Sequence, residues 1–177
     1  MRKIRWVEVV LVIILTLFIT GSVWAEEFKN ITKKFTCKNI EIEVLTQFSN
    51  EGNIQLQRII FIDKTTMRKI REINNEDYPL EKISCLKSSI DGKYYLEFYY
   101  TSGGSCILCE YYELYDEQSR LVASDKEKIY LKITDDKMGK ILPKKEARNL
   151  ERIIEKYRDK VEKLKLKKKN EIWIKED

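Results

Sequence analysis

Four cysteines and no histidine set the chemistry open to this 177-residue chain. Without an imidazole there is no Ser-His-Asp or Cys-His arrangement and no HExxH zinc site. Covalent haem attachment is excluded because Glu110, not histidine, follows the second cysteine of the CxxC at Cys106-Ile107-Leu108-Cys109. Zinc would need all four thiolates, and only one CxxC pair is present. No metal and no cofactor are expected. What remains is thiol, carboxylate, tyrosine and lysine chemistry.

A CxxC can exchange disulfides if its nucleophilic thiol has a lowered pKa, usually at a helix N-terminus. Here Gly103-Gly104 precede the motif, Glu110 follows it, and Glu110 to Tyr115 reads as a strand. A carboxylate beside the thiol works against the thiolate. The motif therefore points to a structural bridge, with a thiol–disulfide oxidoreductase as the alternative. Four cysteines allow three pairings. The simplest joins Cys106 to Cys109 and Cys37 to Cys85. In a flat strand residues three apart lie about 10 Å from each other, beyond disulfide reach of about 7 Å. If the strand starts at Cys106, the partners must be Cys37 and Cys85 instead.

Carboxylates and tyrosines give a second constellation. A two-residue hairpin at Asp91-Gly92 and a loop at Ser102–Ser105 would put Glu97 opposite Glu110, flanked by Tyr95, Tyr99 and Tyr112. Like charges directly opposite are destabilising and call for a compensating group or ligand. These five residues form a candidate ligand face suited to a sugar or a cationic ligand. A third set is basic: Lys163, Lys165, Lys167, Lys168 and Lys169, a candidate contact with anionic surfaces. From Lys144 onward thirteen Lys and Arg stand against eight Asp and Glu.

These groups need elements to hold them. Asn39 to Phe48 and Asn53 to Ile62 alternate with period two, as strands do. Met67 to Ile73 suits either a strand that pairs back or a short helix. Glu81–Ser89 and Lys93–Thr101 flank Asp91-Gly92, a strong hairpin signal. Cys106–Tyr115, Arg120–Ala123 and Glu127–Thr134 read as further strands. The links are too short for parallel crossovers. From Pro143 the period changes: Ala147, Leu150, Ile154, Tyr157, Val161 and Leu164 recur at helical spacing. The expected class is α+β, an antiparallel meander of about six to eight strands at 26–143 with one basic amphipathic helix at 144–169 packed on it. A tail at 170–177 ends as an edge strand or loosely.

The N-terminus supplies the compartment. Arg2, Lys3 and Arg5 precede an apolar run of about eleven residues, Val9 to Ile19, and small residues suit a cut after Ala25. Such a run is short for a membrane span of about twenty residues. Residues 1–25 therefore read as a signal peptide, with an uncleaved anchor as the alternative. Export makes an even number of cysteines read as disulfides and makes nucleic acid a poor partner. The expectation is a small, non-catalytic binding or structural protein of the bacterial cell envelope, exported to the periplasm or beyond and stabilised by disulfides. Its partner would be an unknown protein or envelope component. A membrane-anchored envelope assembly factor is the further alternative.

Overall fold

The computed structural model describes residues 29–49, 51–75, 78–102, 108–131, 134–136 and 139–174. The expected leader and Cys106 lie outside them. Alternating sequence becomes strand in chain order: β1 (Lys29–Cys37), β2 (Ile40–Phe48), β3 (Ile54–Asp63), β4 (Arg68–Asn75), β5 (Leu80–Ser88), β6 (Tyr94–Thr101), β7 (Glu110–Tyr115) and β8 (Leu121–Ser124). A 3-10 turn (Lys126–Tyr130), the short strands β9 (Thr134–Asp136) and β10 (Gly139–Ile141), the helix α1 (Lys144–Leu164) and β11 (Leu166–Trp173) follow. One sheet has the order β1-β2-β3-β4 and the other β11-β5-β6-β7-β8, every pairing antiparallel. The chain is α+β as its patterning indicates. Its nine main strands are split between two sheets, and β9 and β10 pair only with each other.

Burial explains the split. Phe35, Ile40, Ile42, Val44, Ile59 and Phe61 from the first sheet meet Leu80, Ile83, Leu96, Phe98, Tyr100, Tyr111 and Tyr115 from the second in one core. Phe61 of β3 stacks on Phe98 of β6 at 5.4 Å between ring centroids. Cys37 of β1 is bonded to Cys85 of β5, so a covalent link joins the two sheets inside the core. Gln57 makes a polar link. Its fully buried amide donates to Thr46 Oγ1 (3.3 Å) and to the Leu80 carbonyl (3.1 Å), and its oxygen accepts the Leu80 N–H. The outer face of the first sheet carries charge pairs: Lys34 with Glu43, and Arg58 with Glu72 at 2.8 Å.

Helix α1 forms a third layer on the far side of the second sheet. Tyr157, Val161 and Leu164 pack with Leu86, Tyr95 and Leu114. Ile153, at 7% exposure, is its buried residue, and Ile154 of the expected seam is half-buried. The helix stops where the β5–β6 turn takes its last carbonyls. Ser88 Oγ donates to the Leu164 carbonyl at 2.8 Å, and Ser89 Oγ donates to that of Lys165 at 2.9 Å. Lys165 adopts the left-handed φ of 45°, which ends the helix and turns the chain into β11. The basic run therefore does not continue the helix. Only Lys163 is helical, Lys165 is the turn, and Lys167, Lys168 and Lys169 lie on β11.

Two other expectations are corrected and one alternative is decided. Glu127–Tyr130 do not begin a strand: Lys126–Tyr130 is a 3-10 turn, fixed where the buried Asp125 accepts the Tyr112 N–H (2.6 Å) and pairs with the buried Lys128 (2.7 Å), and Thr134 opens β9. Of the two readings of Met67–Ile73 the strand that pairs back holds: Met67 ends the turn after β3, and Arg68–Ile73 belong to β4. The β5–β6 turn is longer than Asp91-Gly92, because side chains support it. Ser88 Oγ accepts the Ile90 and Asp91 N–H groups, and the Asp91 carboxylate accepts the Lys93 N–H and the Tyr95 hydroxyl. Burial opposes the Asp91 charge, yet these hydrogen bonds hold its pKa below the usual value.

Candidate binding face

The longer turn moves the register. Phe98 faces Ile83 and Glu97 faces Ser84, while on the other side Glu97 faces Leu114. Glu110 faces Thr101, because Ser102 N–H bonds the Cys109 carbonyl at 3.0 Å and the β6–β7 loop runs on to that point. The expected Glu97–Glu110 opposition therefore does not form. Each acid is satisfied by a tyrosine instead: Glu97 accepts from Tyr157 of α1 at 2.8 Å, and Glu110 accepts from Tyr99 at 2.7 Å.

The register aligns a different set. Trp173 of β11 faces Lys82 of β5, Lys82 faces Tyr99 of β6, and Tyr99 faces Tyr112 of β7. Residues directly opposite share a sheet face, so the four make one row across four strands on the face turned away from the core. Lys82 Nζ sits 5.0 Å from the Trp173 ring centroid and 5.5 Å from that of Tyr99. Both lie within cation–π range. Tyr99 and Tyr112 are 5.0 Å apart, and Tyr157 of α1 packs 6.0 Å from Tyr112 with its hydroxyl on Glu97. The helix covers only one end. Trp173 is 53% exposed, Glu110 is exposed, and Lys82, Tyr99 and Tyr112 are half-buried.

Electrostatics follow from that setting. Burial and then the bond to Glu110 push the Tyr99 hydroxyl up to about 12. Burial, with the charges of Glu110 and Glu97, raises Tyr112. Burial and Glu97 raise Tyr157 further. These hydroxyls stay protonated and act as hydrogen-bond donors at ordinary pH.

The five expected ligand residues thus divide. Tyr99, Glu110 and Tyr112 come together on the open part. Tyr95 is buried under the helix with its hydroxyl on Asp91 (2.9 Å), and Glu97 is held by Tyr157. Lys82 and Trp173 were missed by sequence reasoning. The alternation Ile172-Trp173-Ile174 carried the signal for Trp173, since Ile172 and Ile174 point to the core and Trp173 must point away. The lysines make no single stripe. Lys168 pairs with Glu171 at 3.0 Å, and Lys167 faces Lys87.

The three described cysteines are in bridges. Cys37–Cys85 spans the core, and Cys109 is disulfide-bonded just ahead of β7. A cleft of about 400 Å³ lies at the end of the sandwich, between the β1–β2 turn and the β7–β8 turn. Its charged groups serve local structure: Lys38 pairs with Glu117 at 3.2 Å, and Asp63 accepts the Thr65 N–H at 2.8 Å. Among the described residues no helix is long and apolar enough to cross a membrane. The chain matches no family model, no curated protein and no solved structure.

Proposed function

We propose that this chain is a small exported binding protein of the bacterial cell envelope, without catalysis of its own, that holds its partner on the outer face of the five-stranded sheet. The observation that carries this reading is the row Trp173–Lys82–Tyr99–Tyr112. Large aromatic side chains are enriched where proteins bind, because they give contact area at low entropic cost. An exposed Trp on an edge strand otherwise leaves apolar surface in water. The core disulfide supports export, since such bonds persist in oxidising compartments. The leader-like N-terminus supports it independently. The thiol–disulfide exchange reading gains nothing from the setting of Cys109, which is followed by a strand and by Glu110 rather than by a helix.

Co-sedimentation with insoluble envelope material tests this reading. Wild type is expected to sediment. A protein carrying Trp173→Ala and Tyr99→Ala, with its thermal unfolding checked, is expected to stay in the supernatant. Equal sedimentation of both would remove the row from the account.

A further inference from the structure

We infer that a second surface, apart from the aromatic row, rests on an anionic phospholipid bilayer. It is the corner where the β5–β6 turn meets the end of α1 and the start of β11, with Ile90 entering the lipid and lysines around it meeting the headgroups. Hydrogen bonds build this corner. Ser88 Oγ donates to the Leu164 carbonyl at 2.8 Å and Ser89 Oγ to that of Lys165 at 2.9 Å, so the turn is fixed to the helix end. Lys167 of β11 faces Lys87 of β5, and Lys87 faces Tyr94 of β6. Ile90 stands near the apex, 60% exposed, with Ser89, Asp91, Gly92 and Lys93 exposed about it.

The turn is prepared to leave water. An N–H group taken into lipid needs a partner within the protein, because the lipid offers none. Every N–H from Ser88 to Tyr94 has one. Ser88 donates to the Lys93 carbonyl, Ser89 to that of Lys165, and Gly92 to that of Ser88. Ile90 and Asp91 donate to Ser88 Oγ, Lys93 to the Asp91 carboxylate and Tyr94 to Glu117. A turn that stays in water has no such need, since water satisfies its donors. The Asp91 carboxylate is turned back onto the protein, where it accepts the Tyr95 hydroxyl at 2.9 Å.

Charge selects the lipid. Segments 87–94 and 159–169 carry eight lysines against three acids, Asp91, Asp159 and Glu162. Glu171 answers Lys168 at 3.0 Å. Glu117 and Asp116, which come near Tyr94 and Tyr95, are matched by Lys38 and Arg120. A surplus of four positive charges remains. Lys87 and Lys167 stand directly opposite, which is unfavourable, and among the described residues neither pairs with a carboxylate. Such clusters are drawn to anionic headgroups. A soluble polyanion would engage the lysines and leave Ile90 in water, whereas a bilayer takes both. A second copy of the chain would set lysine against lysine.

Flotation with vesicles tests the inference, using the protein as the cell exports it. The vesicles are phosphatidylcholine alone, or phosphatidylcholine with roughly one-third phosphatidylglycerol. Wild type is expected to float with the anionic vesicles at about 0.1 M salt and to be largely released at about 1 M, where the Debye length falls to about 3 Å. It should not float with phosphatidylcholine alone. Ile90→Ser should weaken binding severalfold, and Lys87→Gln with Lys167→Gln more than about tenfold, since each lysine near the surface accounts for about fivefold. Unfolding temperatures should stay close to wild type. If the change at Lys87 disturbs the sheet, Lys163→Gln with Lys167→Gln, both exposed, serves in its place. The inference is overturned if wild type does not float with anionic vesicles, or floats equally with neutral ones. Unchanged flotation of Ile90→Ser also overturns it, and would mark the corner as a plain site for polyanions. Sedimentation with envelope material at about 1 M salt, where the bilayer contact is screened, reads the aromatic row alone, so the two surfaces stand or fall separately.

Discussion

Tyr99 shows how a single side chain serves fold and surface together. Its ring fills the row between Lys82 and Tyr112, and its hydroxyl neutralises the demand of Glu110 for a donor. A phenol so placed holds its proton: Tyr99 and Tyr95 are both pushed up to about 12, from an ordinary value of 10.0, by burial and then by bonds to Glu110 and Asp91. The folded state therefore binds more protons than the unfolded state between about pH 10 and pH 12. By linkage, stability is intact below about pH 10 and falls as pH rises through that window. Spectrophotometric titration of the ten tyrosines is expected to show an early group near pH 10 and a late group that ionises only as the protein unfolds. A single transition at pH 10 with the fold retained would contradict the environments described for Tyr95 and Tyr99. Glu110 and Tyr99 were legible as candidates from residue type alone. Their true relation was not, because it depends on two turns whose lengths are set by Ser88, Asp91 and the Ser102–Cys109 bond.

At the scale of elements, strands with clean alternation could be read directly, as in β2, β3, β5 and β6. β1 was not read, because its outer half carries Asn30, Thr32, Lys33 and Lys34, and only Phe35 and Cys37 are buried. β11 was not read as starting at Leu166 either, because Lys167, Lys168 and Lys169 resemble the continuation of a basic helix. Lysines on an edge strand protect it from pairing with another chain, and they sit here on the strand that closes one side of the sheet. The helix itself was legible from its period. Its most buried residue was not, since Ile153 and Ile154 differ by one position and only the docking angle chooses between them. Ile153→Ala is expected to cost about 2–5 kcal/mol, and Ile154→Ala clearly less, measured by denaturant unfolding. The reverse order would mean that α1 packs with a different face. Gln57 was invisible in sequence, since a glutamine in a strand reads as an outward residue. It is buried because it ties β3 to Leu80 of β5 by two hydrogen bonds and to Thr46 of β2 by a third.

Across the whole molecule, two sheets and a helix make three layers, and the Cys37–Cys85 bond clamps the first two. The cysteines are 48 residues apart, so the chain-entropy argument gives a stabilisation of about 4 kcal/mol. Replacing both with alanine is expected to lower stability by a few kcal/mol in chemical denaturation, and reduction should do the same to wild type. A change below about 1 kcal/mol would mean that the core of aromatic stacks and the Gln57 link hold the sheets together unaided. With the clamp inside and the helix over one end of the second sheet, the open part of that sheet is where the molecule presents its aromatic row. Oxidative footprinting of Trp173 in the presence and absence of isolated envelope material tests that claim most directly. Met67, in the turn between β3 and β4 of the other sheet and 73% exposed, serves as the internal control. Bound protein is expected to oxidise at Trp173 severalfold more slowly while Met67 reacts unchanged. Equal oxidation of Trp173 in bound and free protein would show that the row is not the surface that binds.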